Sequence, residues 1–293
     1  MKKNLKKVLI GHFVNDIPNK FKIHQKYIND MIDKFFVTFD VNCKLKIKFV
    51  DNICENVYEY TDCALKNSSI KKHELLISNF VLNSINFDGG SYFCSAICHE
   101  FEHIRDYNNM MQTKLFKFNL CLAEQKNFEK TYVSAGFFFW TEIYAYYKTL
   151  KFTKRNNLKY EAITFGNLVN NYIKTININK KIYYKKDLSY IEAMKYIDSV
   201  NSFIYLCAKF MASAYADHSR IPRAKIDNKK EYKKVYSILC ALEPKIKKLF
   251  NNMYGAKSYD NLLGLGKYIC ENIKWKIFKV GLTKKRRRIV TFY

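Results

Sequence analysis

The feature that most constrains this chain is a change of hydrophobic period. From Lys44 to Val50 the sequence KLKIKFV alternates lysine with leucine, isoleucine and phenylalanine, the period-two pattern of a strand with one wet face and one buried face. After Ser91 the apolar residues recur instead at three- and four-residue spacing, segment after segment, which a helix satisfies and a strand does not. Strand pairing is therefore confined to the part of the chain before Ser91. That part opens with a predicted amphipathic helix over 19–36, carried by Phe21, Tyr27, Ile28, Met31, Ile32, Phe35 and Phe36. Predicted strands follow at 44–50, at 60–65 and in HELLISNFVL from His73, apolar enough for a central strand. Asp88-Gly89-Gly90 is a turn signal, and Ser91 is a candidate cap for the next helix.

The remaining helices are predicted over 91–111, 115–129, 135–152, 160–176, 188–215, 230–254 and 260–278, with KFTKRNNLKY and NINKKIYYKKD as loops. This order gives an α+β fold: a small, mostly antiparallel sheet, then a helix carrying the motif below, then a large helical remainder. Residues 1–152 form one region. Residues 153–293 form a helical region packed on it, a candidate second subdomain.

Composition narrows the class. Hydrophobic residues make up 48% of the 293, with 46 Phe and Tyr among them, so a packed core is within reach and disorder is excluded. The 51 Lys and Arg against 26 Asp and Glu give a formal charge of +25, which attracts any acidic partner, nucleic acid or anionic membrane included, without choosing among them. The competing reading of that excess is ordinary solvated surface. The nine cysteines are odd in number and lack CxxC pairs, as expected of reduced, buried thiols in a cytoplasmic protein. Cys94 and Cys98 sit one helical turn apart beside His99, so a zinc thiolate role competes with burial. The start has a basic segment, but its apolar run is short and leads to Asn and Asp, against a secretory signal. No apolar run is long enough for a membrane span.

The chemistry concentrates in SAICHEFEHIRDY, 95–107. Histidines at i and i+4 lie on one helix face, so His99 and His103 can reach one tetrahedral zinc ion. Glu100 then stands beside the metal, placed to act as general base on water whose pKa the metal lowers. Phe93, Ile97, Phe101 and Ile104 form the opposite stripe, which seats the helix on a core. With 6 His and 13 Glu in the chain, composition predicts about 0.005 such motifs by chance. The bland alternative is a surface helix whose histidines are merely polar.

Such a site takes a third protein ligand and leaves the fourth position open. Asp106 lies on the histidine side, but its side chain is short; it is assigned as the acceptor that fixes the tautomer of a ligand histidine. Glu102 points off that face, toward solvent or an ion pair. Glu142, in FFFWTEIYAYY, is the better candidate, because a lone carboxylate among so much bulk is costly unless it meets a cation. A Lys or Arg partner would satisfy it equally. Asp106 and Glu124 are the alternatives.

His99-Glu-Phe-Glu-His103 resembles the HExxH motif of zincin metallopeptidases. With the Glu142-Ile-Tyr-Ala145 helix downstream it resembles the gluzincins more narrowly, including the ImmA/IrrE-like peptidases. The resemblance covers Lys44 to Tyr147 and implies a zinc-dependent endopeptidase acting on a protein or peptide, with His99, His103 and Glu142 as ligands and Glu100 as base. Two features depart from it: 38 residues separate His103 from Glu142, which implies an inserted helix or lid over 110–136, and IRDYNN lacks the metzincin glycine turn and third histidine.

An oxyanion-stabilising group is also required. Tyr146, one turn beyond Glu142, and His218 in YADHSR, with Arg220 nearby, are the candidates. The basic run Lys284, Lys285, Arg286, Arg287 and Arg288 can contact phosphates. It sustains two other readings: a basic nucleic-acid-associated protein, and an inactive zincin fold serving as a binding or regulatory module.

Overall fold

The computed structural model describes residues 12–14, 17–39, 43–51, 53–56, 59–61, 63–69, 72–112, 127–154, 158–183, 189–217, 224–252 and 258–280. In chain order these form β1 (His12–Val14), a 3-10 turn (Asn19–His24), α1 (Gln25–Thr38), β2 (Lys44–Val50), β3 (Ile53–Asn56), β4 (Glu59–Thr61), β5 (Cys63–Ser69), β6 (Lys72–Ser78), α2 (Asn79–Asp88) and α3 (Ser91–Gln112). Then come α4 (Asn127–Thr153), α5 (Leu158–Tyr183), α6 (Tyr190–Ala216), α7 (Lys229–Asn252), α8 (Ser258–Tyr268) and a π-helix (Ile269–Ile277). The chain is α+β, with all the described strands before α2.

Two compact units divide it. One holds 1–112 and 148–155, the other 113–147 and 156–293.

In the first unit, four strands form one sheet in the order β1-β2-β6-β5, and β3 and β4 pair separately. The sheet is mixed, not mostly antiparallel: β1–β2 and β2–β6 are parallel, and only β5–β6 is antiparallel. The chain between β2 and β6 supplies the crossover that parallel pairing requires. Register places Leu45 opposite His73, Ile47 opposite Leu75 and Phe49 opposite Ile77. Leu45, Ile47, His73, Leu75 and Ile77 are buried, while Lys44 and Lys72 are exposed, as the alternation requires.

The strand expected from His73 ends at Ser78, and the continuing apolar residues form α2. Ser78 decides this: its hydroxyl accepts a hydrogen bond from the Val81 amide, an N-cap that turns the strand into a helix. Gly89 closes α2 at φ 65°, a left-handed cap that costs glycine nothing. Asp88, not Ser91, caps the next helix, its carboxylate accepting from the amides of Gly90 and Tyr92. The core of this unit joins α1, the sheet, α2 and α3. Phe101 of α3 packs on Phe35 and edge-on against Phe36, with centroids 5.6 and 5.2 Å away.

In the second unit the helices pack on one another. The segment NINKKIYYKKD is no loop at its start, since α5 continues to Tyr183. Ile176 and Asn179 lie on its buried face, and the Asn179 amide donates to the Lys195 carbonyl at 3.3 Å. Phe165 stacks on Phe210 at 4.2 Å. Residues 127–147 of α4 meet α8 at two glycines: a Cβ at Gly136 would fall on the Leu262 carbonyl oxygen, and one at Gly266 on that of Tyr132.

Candidate metal centre

The stripe that orients α3 is wholly buried: Phe93, Ile97, Phe101 and Ile104 each have 0% exposure. With that face committed to the core, His99 and His103 stand on another side of the helix, half-buried. Their Nε2 atoms are 2.9 Å apart and their rings are perpendicular, with centroids 4.4 Å apart. Both imidazoles thus aim the same nitrogen at one point.

Glu142 joins them. Each of the three residues offers one ligand atom, and the three atoms lie within 4.8 Å of one another. Local packing sets the rotation of α4: Phe139, Trp140 and Ile143 are buried, and Trp140 meets Phe250 edge-on at 4.8 Å. Glu142 is half-buried beside them.

Two imidazole nitrogens and one carboxylate oxygen are a donor set suited to zinc with one open position. Around a tetrahedral ion, two ligand atoms at their usual bond lengths stand about 3.3 Å apart. The 2.9 Å between the imidazoles and the 4.8 Å limit on the group bracket that value. The residue types and their spacing suit the ion.

The neighbours on α3 divide by burial. Glu100 is buried at 9% exposure, next in the chain to His99. Asp106, on the histidine side by its spacing, is wholly buried. Glu102 is buried rather than solvated and pairs with Arg105 at 2.5 Å. Burial pushes its carboxyl up to about 7, against the pull of Arg105 and Lys148. Cys98 is buried, and burial pushes its thiol up to about 12. Among the described residues, the group with metal-binding spacing contains neither Cys94 nor Cys98.

Tyr146 lies one turn beyond Glu142 on α4. Its phenol is raised well above the ordinary value by burial and then by the charge of Glu161, so it stays a hydrogen-bond donor. His218, Arg220, Glu124 and the basic run Lys284, Lys285, Arg286, Arg287 and Arg288 lie outside the described residues, as does 113–126 of the expected insertion. Among the described residues, no helix is long and apolar enough to cross a membrane.

One polar pair behind the site escapes the motif. Asn108 is the next position of the buried stripe, four residues after Ile104, and its Oδ1 meets the Nε2 of His73 at 3.4 Å. Both are buried. His73 takes an inward position of β6, in alternation with Leu75 and Ile77, so the pair fastens the end of α3 to the sheet. The signal was present as two polar residues, each at an apolar position of its own pattern.

Compared with protein-family models, with curated proteins and with solved structures, the chain matches none of them.

Proposed function

We propose that this chain is a zinc-dependent metallopeptidase of the zincin type, acting on a protein or peptide. The observation that carries the reading is the convergence of His99, His103 and Glu142. These three residues would hold the ion. Zinc, when bound there, supplies a Lewis acid that polarises the scissile carbonyl and acidifies water.

The rest falls to the chain's own side chains. Glu100 takes a proton from the attacking water and returns it to the leaving amine, one carboxylate serving as base and then as acid. Asp106, buried on the same side of α3, accepts from a ligand imidazole and holds its tautomer. Tyr146 donates its phenolic proton toward the oxyanion, and the raised phenol pKa keeps that proton in place.

The test uses the full chain. Purified protein should contain about one zinc per chain by metal analysis, and His99→Ala or His103→Ala should remove it. Glu100→Gln should keep the zinc and lower hydrolysis of an unstructured protein substrate by about 10²–10⁴-fold. Absence of zinc, or full activity in Glu100→Gln, would refute the reading.

A further inference from the structure

We infer that the outer face of α2, together with the neighbouring 3-10 turn, docks on an anionic lipid surface. Helix α2 turns Val81, Leu82 and Ile85 inward, as an amphipathic helix should. Its other side carries two large apolar residues among Asn83, Asn86 and Asp88: Phe80 and Phe87, two turns apart, are 64% and 87% exposed. Ile23, in the 3-10 turn, is 85% exposed. Single exposed apolar residues are ordinary, but three in one neighbourhood call for a partner.

They share a neighbourhood because the two segments are tied together. His24 Nε2 meets Asn86 Oδ1 at 2.7 Å, and the Tyr27 hydroxyl donates to the Gly90 carbonyl at 3.3 Å. Ile23 and Phe87 are thus each one residue from the same hydrogen bond. Lys20, Lys22 and Lys26 surround Ile23 in the chain, all exposed. Residues 19–29 and 79–87 contain no Asp or Glu. The carboxylate after Phe87, Asp88, is engaged by two backbone amides in its turn.

Apolar tips within a cationic border complement a bilayer whose acyl chains lie under anionic headgroups. Two other occupants fit less well. A second copy would set lysines against lysines across a two-fold contact. A single-stranded nucleic acid could stack on Phe80 and Phe87 but would leave Ile23, with no stacking face, uncovered.

The formal charge of +25 attracts any anionic surface, so the decisive measurement concerns the apolar residues. In co-sedimentation, the full chain should bind vesicles of phosphatidylcholine mixed with phosphatidylserine and not those of phosphatidylcholine alone. Ile23→Ser with Phe87→Ser should weaken that binding by about tenfold or more with an unchanged melting temperature. Lys20→Gln, Lys22→Gln and Lys26→Gln should each weaken it by roughly fivefold. Should the serine pair fail to fold, Phe87→Trp serves instead, its added fluorescence shifting to the blue on phosphatidylserine vesicles. Undiminished binding by the serine pair, an unshifted Phe87→Trp emission, or equal binding to pure phosphatidylcholine would overturn the proposal. So would a patch variant that alters only oligomeric state or binding to a DNA oligonucleotide.

Discussion

His99 and His103 are brought together by spacing alone, because i and i+4 are neighbours on any helix. Glu142 is a different case. Its place on α4 depends on packing, since Trp140 and Ile143 beside it are buried. Glu142→Ala should lower zinc affinity by at least about a hundredfold in competition with a chromogenic chelator, and Asp106→Asn by about 10–100-fold. Equal affinity in Glu142→Ala would remove it from the ligand set. His73 permits a pH test. Burial lowers its pKa below 6.5, so the unfolded chain takes up the proton before the folded one does. Its contribution to stability is complete above 6.5 and is lost as pH falls through and below that value, with a slope approaching about 1.4 kcal/mol per pH unit. Glu102, with its carboxyl raised to about 7, titrates in the same range with the opposite sign. The difference between wild type and His73→Asn in denaturant unfolding from pH 7 to pH 5 isolates the imidazole; a flat difference would contradict the argument.

At the scale of the element, the sequence was most legible where one pattern ran without competition. KLKIKFV is β2 from its first residue to its last, and the helix around the two histidines begins at Ser91 as expected. HELLISNFVL was ambiguous, since a short apolar run suits a strand or a buried helix equally. One hydroxyl at Ser78 settles it by capping. The loop expected over 177–187 misled because its lysines and asparagines read as solvated chain, whereas one face of that segment is buried. Two tests belong here. Ser189 and Glu192 form a capping box at the start of α6, and Ser189→Ala should cost about 1 kcal/mol in denaturant unfolding. Gly136→Ala or Gly266→Ala should cost about 1–3 kcal/mol or more, because each added methyl meets backbone, which cannot move aside as a side chain can. A neutral outcome at both glycines would mean that α4 and α8 are not so close.

For the whole molecule, the clearest consequence is linkage. On the proposed reading, a zinc ion would bind the folded chain and not the unfolded one, and at a thousand times its Kd it would stabilise by about 4 kcal/mol. Chelation should therefore lower the melting temperature, and re-addition of zinc should restore it in wild type but not in His103→Ala. An unchanged melting temperature on chelation would argue against a bound ion. By itself, the sequence determined what is local: a sheet confined to the front of the chain, an amphipathic helix with two histidines on one side and Phe93, Ile97, Phe101 and Ile104 on the other, and a short set of carboxylates able to complete the site. Periodicity and spacing carry such information because they act within a few turns of chain. Only the tertiary structure decided that β2 and β6 run parallel, that Asn108 finds His73, and that Ser78 turns the chain from strand to helix. The first two depend on where the chain returns after tens of residues, and that is set by the packing of whole elements, which no short window of sequence contains.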